Sequence, residues 1–315
     1  MYDLIIVGGG PAGLTAGIYA GRAKLNVLLV EKKLPGGQLN DTTLVENFPG
    51  HMSIQGPKLV ESIQKQAESF GVEVKIEEVK DVKLKEAEKT IITTAGSYKA
   101  KCIIIATGAE PVELTVDGAS KLKGRGVSYC AVCDGAFFEG KRIIEVGAGD
   151  AGFTETLFLT KFAKEIRMLI RHPKEDSHAI RAKDKVLVER VMSHPKVKML
   201  WNMRLVEVLG EERVEGVVLE DLGSGERIVQ EDIEGVFVNV GHRPQTDFLE
   251  GKLKMDRGYL ITDERMRTSS PGVFAAGDVR RLSGEYAQAV VAASDGAIAA
   301  LEAKKYIDDL SKLSN

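Results

Sequence analysis

Leu4-Ile5-Ile6-Val7-Gly8-Gly9-Gly10-Pro11-Ala12-Gly13 is an apolar run that stops on a glycine-rich turn. Small residues continue to Ala20, which predicts a helix over Pro11–Ala20, and a second apolar run follows at Val27–Val30. Strand, glycine turn, helix and strand within about thirty residues form the βαβ unit that cradles a dinucleotide. Gly8, Gly10 and Gly13 hold the G-x-G-x-x-G positions. The first makes the turn, the second admits a pyrophosphate to the backbone, and the third lets helix pack on strand. A helix that opens at Pro11-Ala12 turns unpaired N–H groups and a partial positive charge toward phosphate. Glu31 closes the second strand 18 residues after Gly13, where a carboxylate can hold a ribose hydroxyl.

The same grammar restarts about 140 residues later, with a strand at Ile143–Val146, the turn Gly147-Ala148-Gly149-Asp150-Ala151-Gly152, a helix expected from Thr154 to Ala163, and a strand at Ile166–Ile170. Further buried-type runs end on glycines, at Ala106-Thr107-Gly108, at Gly241 and at Gly277-Asp278. An alanine-rich helix is expected from Ala287 to Tyr306. The fold class expected is α/β, with two doubly wound, Rossmann-like dinucleotide-binding domains. No long Pro/Ser linker separates them, so short crossings near Pro111 and Pro244 are expected. The second strand of the second unit runs into Arg171-His172-Pro173-Lys174, a basic stretch where a reader of a plain ribose carries an acid. Arg171 and Lys174 there suit a ribose 2′-phosphate, and hence NADP; Glu175 and Asp176 follow at once, so a solvated loop is the alternative.

Length and composition agree with two folded domains. The chain has 315 residues, 43% hydrophobic and 28% charged, with 33 Gly and 9 Pro. A net charge of −3 gives no basic field for nucleic acid, and the aromatic residues do not interleave with basic ones. Leu4–Gly21 is long enough to cross a bilayer, but Pro11 and its glycines fit a strand, turn and helix better. The opening Met1-Tyr2-Asp3 lacks the basic region of a signal peptide, and three cysteines make no disulfide framework. A cytoplasmic protein with no membrane association is expected.

Cys130-Ala131-Val132-Cys133-Asp134 carries the most chemistry. Two thiols at this spacing can close a tight, reversible disulfide. At a pKa of about 8.5 only about 3% of a thiol is ionised at pH 7, and lowering the pKa by one unit gives about 24%. Asp134 can move the proton that thiol–disulfide interchange requires. Half of a zinc site and a pair of structural cysteines are the alternatives. Cys102 sits in an apolar run and no histidine lies close by, so no metal is expected and the redox reading is favoured. Cys102 reads as inert core. His51, His172, His178, His194 and His242 are scattered without ligand spacing.

Eight pieces in register resemble the low-molecular-weight thioredoxin reductases over nearly the whole chain. They are Gly8–Gly13, Gly36-Gly37-Gln38-Leu39, Glu46-Asn47-Phe48-Pro49-Gly50, Ala106-Thr107-Gly108, Cys130–Gly135, Gly147–Gly152, Gly241-His242-Arg243-Pro244 and Phe274–Val279. The resemblance implies FAD on the first unit and a reduced pyridine nucleotide, NADPH or NADH, on the second. It implies that the second domain (112–244) is inserted in a discontinuous FAD domain (1–111 and 245–315), and that the protein is a homodimer acting on thioredoxin or a thioredoxin-like protein. Position by position it implies that Glu31 holds the FAD ribose, that Gly37, Gln38 and Asn47 lie near the flavin with Leu39 beside them, and that Gly277 and Asp278 bind the ribityl–phosphate region. It further implies Gln288 and Ala289 near the ring, Cys133 facing the flavin, Cys130 attacking thioredoxin and Asp134 as the acid/base. The family's NADPH reader is His-Arg-Arg-x-x-x-Arg; here Arg181 comes after an apparent insertion at Ser177–Ile180, and Ala287 stands where members commonly place an arginine. Reduced ferredoxin or a deazaflavin as donor, a ferredoxin–NADP reductase-like enzyme and a non-catalytic flavin sensor are the alternatives. Thiols and nucleotide turn on one unit, serving one flavin on the other, imply a hinge at the crossings.

Overall fold

The computed structural model describes residues 1–42, 44–84, 88–281 and 286–313. The chain opens with β1 (Tyr2–Val7), α1 (Pro11–Arg22), β2 (Val27–Glu31), α2 (Gly56–Ser69), β3 (Glu73–Ile76), β4 (Val79–Lys83), β5 (Lys89–Thr93), β6 (Ser97–Ile105) and β7 (Ala109–Pro111). It continues through β8 (Val127–Ser128), α3 (Ala131–Asp134), β9 (Arg142–Val146), α4 (Asp150–Leu159), β10 (Glu165–Ile170), α5 (Lys185–Met192), β11 (Val197–Trp201), β12 (Met203–Leu209), β13 (Gly216–Asp221), β14 (Arg227–Gln230) and β15 (Gly235–Val238). It closes with β16 (His242–Pro244), β17 (Met255–Asp256), β18 (Tyr259–Leu260), β19 (Val273–Ala275) and α6 (Ala289–Leu313). Two compact units result, one made of Met1–Glu110 with Arg243–Asn315 and the other of Pro111–His242.

The first unit is built on a sheet ordered β3-β2-β1-β6-β5-β4, with β19 also pairing β6. β1, β2, β3, β6 and β19 run parallel; β4 and β5 join antiparallel. Both faces of β1, β2 and β19 are covered, which is why these strands read as largely apolar runs rather than alternating ones. Leu4, Leu29 and Ile104 pack on one face with α1 and α6, and Ile5, Leu28 and Ile103 on the other. All six are wholly buried, so truncating any of them to alanine costs about 2–5 kcal/mol. α1 lies against α6 so closely that a Cβ on Gly296 would fall 2.0 Å from Ala12 O.

The second unit repeats the plan with the parallel order β11-β10-β9-β15-β8, backed by the antiparallel β12-β13-β14. In each unit the glycine turn leaves the strand at which the order reverses, β1 or β9, and crevices at such points take ligands. α4 begins at Asp150, four residues before the expected Thr154, because the helix starts directly off the turn, and it ends at Leu159 rather than Ala163. α6 runs from Ala289 to Leu313, beyond the expected Tyr306. Among the described residues no helix is long and apolar enough to cross a membrane.

Candidate active site and nucleotide turns

Gly8 and Gly13 are fixed as glycines by the chain itself. Gly8 has φ +110°, and a Cβ on it would meet Ala106 O at 2.3 Å; one on Gly13 would meet Gly8 O at 1.9 Å. Gly10 differs, since a Cβ there would have no atom within 4 Å. The space over Gly10 is open to a group from outside the chain. It faces the first turn of α1, whose N-cap Gly10 supplies no side-chain acceptor, so the N–H groups stay available to an anion.

Of the other residues expected here, Ala106, Gly37 and Gly277 lie against the turn, and the rest are held by bonds elsewhere in the same unit. A Cβ on Gly37 would lie 3.6 Å from Gly10 Cα, and one on Gly277 would lie 3.0 Å from Ala12 Cβ and 3.4 Å from Ala292 Cβ. Ala106 N donates to Val7 O at 2.7 Å. Thr107 Oγ1 donates to Gln245 O at 2.7 Å, and Gln245 N donates back to Gly108 O at 3.0 Å. Gln38 Nε2 donates to Ala109 O at 2.8 Å, beside buried Leu39. Asn47 Nδ2 donates to Gln288 Oε1 at 3.0 Å, at the start of α6 where Ala289 follows. Glu31 is folded onto the turn: Oε2 accepts from Gly9 N at 2.6 Å and Oε1 from Lys33 N at 3.1 Å. Asp278 is desolvated, and burial together with the charge of Asp295 pushes its carboxyl up to about 6. Asp295 is anchored by buried Arg280, whose Nη1 donates to Oδ2 at 2.6 Å, while the same oxygen accepts from Gly277 N at 3.1 Å. Nothing in the spacing of the sequence signals this ion pair beneath Gly277-Asp278.

The second turn obeys the same logic. A Cβ on Gly147, with φ +148°, would meet Asn239 O at 2.2 Å, and one on Gly152 would meet Gly147 O at 2.2 Å. Over Gly149 nothing lies within 4 Å. The turn is also stitched to the segment after β10. Ala148 O accepts from Arg181 N at 2.9 Å and from Ala182 N at 3.2 Å, and Asp150 Oδ1 accepts from Lys183 N at 2.6 Å. Arg181 thus reaches the turn through its backbone, next to Ala148, and its side chain is exposed, as is Ala151. Arg171 and Lys174 are exposed, and no hydrogen bond joins either to the turn among the described residues. His172 Nδ1 pairs instead with Asp176 Oδ2 at 2.8 Å.

Cys130 and Cys133 are joined as a disulfide with Cα atoms 5.3 Å apart, which removes the zinc reading. Cys133 N donates to Cys130 Sγ at 3.1 Å as α3 begins. Ser128 Oγ accepts from Cys130 N at 3.1 Å and donates to Asp134 Oδ2 at 2.6 Å. Burial raises the Asp134 carboxyl, and the Ser128 bond partly opposes that rise. Glu155 Oε2 accepts from Ala131 N at 3.0 Å, inside the disulfide loop. Cys102 is buried and unbonded to sulfur, its thiol pushed up to about 12 by burial, as expected of inert core. Glu145 and Glu155 escape a reading by spacing. Glu145 still leaves a trace, as a carboxylate inside the apolar strand Ile143–Val146.

Two dinucleotide turns with open second glycines, and a disulfide loop on the unit of the second, narrow the families that fit. Residues 2–296 match the pyridine nucleotide-disulphide oxidoreductase family. The chain belongs to it. A thioredoxin reductase of Listeria monocytogenes is 42% identical over 314 residues, covering 99% of this chain and 96% of that protein. One of Bacillus subtilis is 40% identical over 314 residues, with the same coverage of 99% and 96%. A solved thioredoxin reductase of Streptococcus pyogenes superposes with a TM-score of 0.92 at 39% identity, covering 98% of this chain and 99% of that one. Flavin and pyridine dinucleotides, the cofactors of such oxidoreductases, fit what is present. Each turn leaves open the space over its middle glycine, and each helix N-terminus beyond it has no side-chain cap.

Proposed function

We propose that the protein is a thioredoxin-disulfide reductase that uses FAD and takes electrons from NADPH. The observation that carries this reading is the Cys130–Cys133 disulfide, held on the unit that bears the second dinucleotide turn, in a chain alike to thioredoxin reductases over its whole length. Gly8, Gly10, Pro11, Ala12, Gly13 and Glu31 hold the FAD pyrophosphate and ribose. Gly37, Gln38, Leu39, Asn47, Ala106, Thr107, Gly108, Gln288 and Ala289 line the flavin, and Gly277 and Asp278 hold the ribityl–phosphate region. Gly147, Gly149, Asp150, Ala151 and Gly152 receive NADPH. Arg171, Lys174 and Arg181, three cations that form no ion pair among the described residues, attract its 2′-phosphate. Bound flavin supplies the two-electron relay between nicotinamide and disulfide.

The chain's own residues handle sulfur and protons. Cys130 as thiolate attacks the thioredoxin disulfide, one thioredoxin sulfur leaves, and Cys133 displaces the other to restore the Cys130–Cys133 bond. Asp134, poised by burial and the Ser128 hydroxyl, takes the Cys133 proton and returns it to a leaving sulfur. The protein is placed in the cytoplasm as a homodimer, a reading supported by the likeness to bacterial thioredoxin reductases and by exposed Val290 and Leu301 on α6. Rotation about the crossings at Pro111 and Pro244 lets one flavin serve both the disulfide and the nucleotide turn. A disulfide engineered between the two units that left turnover unchanged would refute that rotation.

The test of function is NADPH-driven reduction of thioredoxin, followed through insulin turbidity. The intact protein sustains many turnovers. Cys133→Ser abolishes them while NADPH still bleaches the flavin. Bleaching by NADH or reduced ferredoxin but not NADPH would reassign the donor, and no turnover with any donor would leave a sensor rather than a reductase.

A further inference from the structure

Side-chain alternation along β9 places Ile143 on the face shared with Phe153 and Leu159 of α4, and Ile144 and Val146 on the opposite face. Glu145 shares the Ile143 face, wholly buried beneath α4. Its Oε1 accepts from Asn239 Nδ2 at 2.9 Å, and its Oε2 has no hydrogen-bond partner among the described residues. The second hydrogen of the same Asn239 amide goes to Glu155 Oε2 at 2.8 Å. That oxygen is also the acceptor for Ala131 N, in the loop between the two cysteines. A continuous path therefore runs from the interior of the sheet, through Glu145, Asn239 and Glu155, to the disulfide. No lysine, arginine or histidine pairs with Glu145, Glu155 or Asp134 among the described residues. The ionisable group acting on Glu155 is Asp134, and Glu155 in turn acts on Glu145. Of the elements packed against α4, namely α3, α5, β9 and β10, it is α3 that supplies the charge acting on Glu155, through Asp134.

Carboxyls crowded together without a cation cannot all ionise. Burial raises all three here, Glu145 furthest, and the charge of Asp134 raises Glu155 further. We propose that Glu145, Asn239 and Glu155 are positioning residues forming a proton-holding network behind the Cys130–Cys133 pair, in which Glu155 sets the acidity of the dithiol and Glu145 stays neutral. The inference rests on the disulfide-reductase reading. Reduction breaks the sulfur–sulfur bond with an electron pair delivered by the enzyme's own turnover, leaving a thiol and a thiolate once one proton has been added. A Glu155 carboxylate beside Ala131 N opposes the thiolate charge, so the thiol holds its proton to higher pH. A neutral Glu145 anchors the Asn239 amide without adding a further negative charge.

The test reads the thiols rather than turnover. The flavin-loaded protein is reduced with dithiothreitol under nitrogen and freed of reductant. Iodoacetamide labelling of Cys130 and Cys133 is then followed against pH by mass spectrometry. Glu155→Gln keeps an oxygen for both donors and removes the charge. Its labelling profile moves to lower pH by about one unit, which is about tenfold faster labelling on the acid side of the midpoint. Asn239→Ala, which frees Glu155 to hold its proton longer, moves the profile the same way by less. Glu145→Gln leaves it in place while abolishing the infrared C=O stretch of a protonated buried carboxyl. A Glu155→Gln profile that overlays the parent would overturn the inference, as would a Glu145→Gln shift of equal size or an infrared band that Glu145→Gln does not change. A protein that shows these shifts yet never reduces thioredoxin would strike at the proposed function and leave the network standing.

Discussion

Ser128 donates its hydroxyl to Asp134 Oδ2 at 2.6 Å while accepting from Cys130 N at 3.1 Å, so one side chain outside the C-x-x-C-D run joins the acid to the disulfide loop. That bond favours the Asp134 carboxylate and opposes the upward push of burial. Ser128→Ala removes the opposition, and the carboxyl then keeps its proton to higher pH. The limb of the pH–rate profile for thioredoxin reduction that belongs to Asp134 moves alkaline, by about one unit. Stopped-flow rates across pH check it, and an acid shift would contradict the assignment.

The two kinds of glycine in each turn separate folding from binding. Gly13→Ala forces a side chain to within 1.9 Å of Gly8 O and prevents the turn from closing. Gly10→Ala meets nothing in the chain, so the folded protein survives with little change in melting temperature. Its flavin content after purification falls at least tenfold, because the methyl occupies the approach to the phosphates. Gly149→Ala keeps flavin and raises the KM for NADPH instead. Absorbance spectra and thermal melts distinguish the three.

Arg280 and Asp295 form a buried ion pair under the Gly277-Asp278 loop. Removing one partner strands the other charge, so Arg280→Met costs about 3–5 kcal/mol in urea unfolding at neutral pH. Replacing both, as Arg280→Met with Asp295→Leu, recovers much of that loss. A cost below about 1 kcal/mol for the single change would show that the pair is solvated.

Glu145 ties stability to pH. Its carboxyl is raised well above the ordinary value by burial, so the folded chain binds a proton that the unfolded chain has released. The stabilisation is complete below the unfolded pKa and is lost as pH rises through the folded one, at about 1.4 kcal/mol per unit between them. Glu145→Gln does not titrate. Its melting temperature relative to the parent therefore climbs between mildly acidic and alkaline pH, and a constant difference would show that Glu145 is not held protonated.

Local periodicity made the strands, both glycine turns and the disulfide loop readable, since each is written in consecutive residues. Glu145 and Asn239 are 94 positions apart and meet only because β9 and β15 pair in register. Arg181 approaches the second turn through its backbone N–H, which no residue type advertises. The glycine motif predicts a turn through Gly152, whereas α4 starts at Asp150 and Gly152 serves inside the helix by packing on Gly147 O. Contacts made through the backbone or across the sheet have no signature in spacing.

Anaerobic titration of the flavin-loaded protein with NADPH shows whether electrons pass from a pyridine nucleotide through the protein to Cys130–Cys133. The parent consumes one more equivalent of NADPH per flavin than Cys133→Ser, and gives it up again to oxidised thioredoxin. Equal consumption by the two proteins would contradict that transfer.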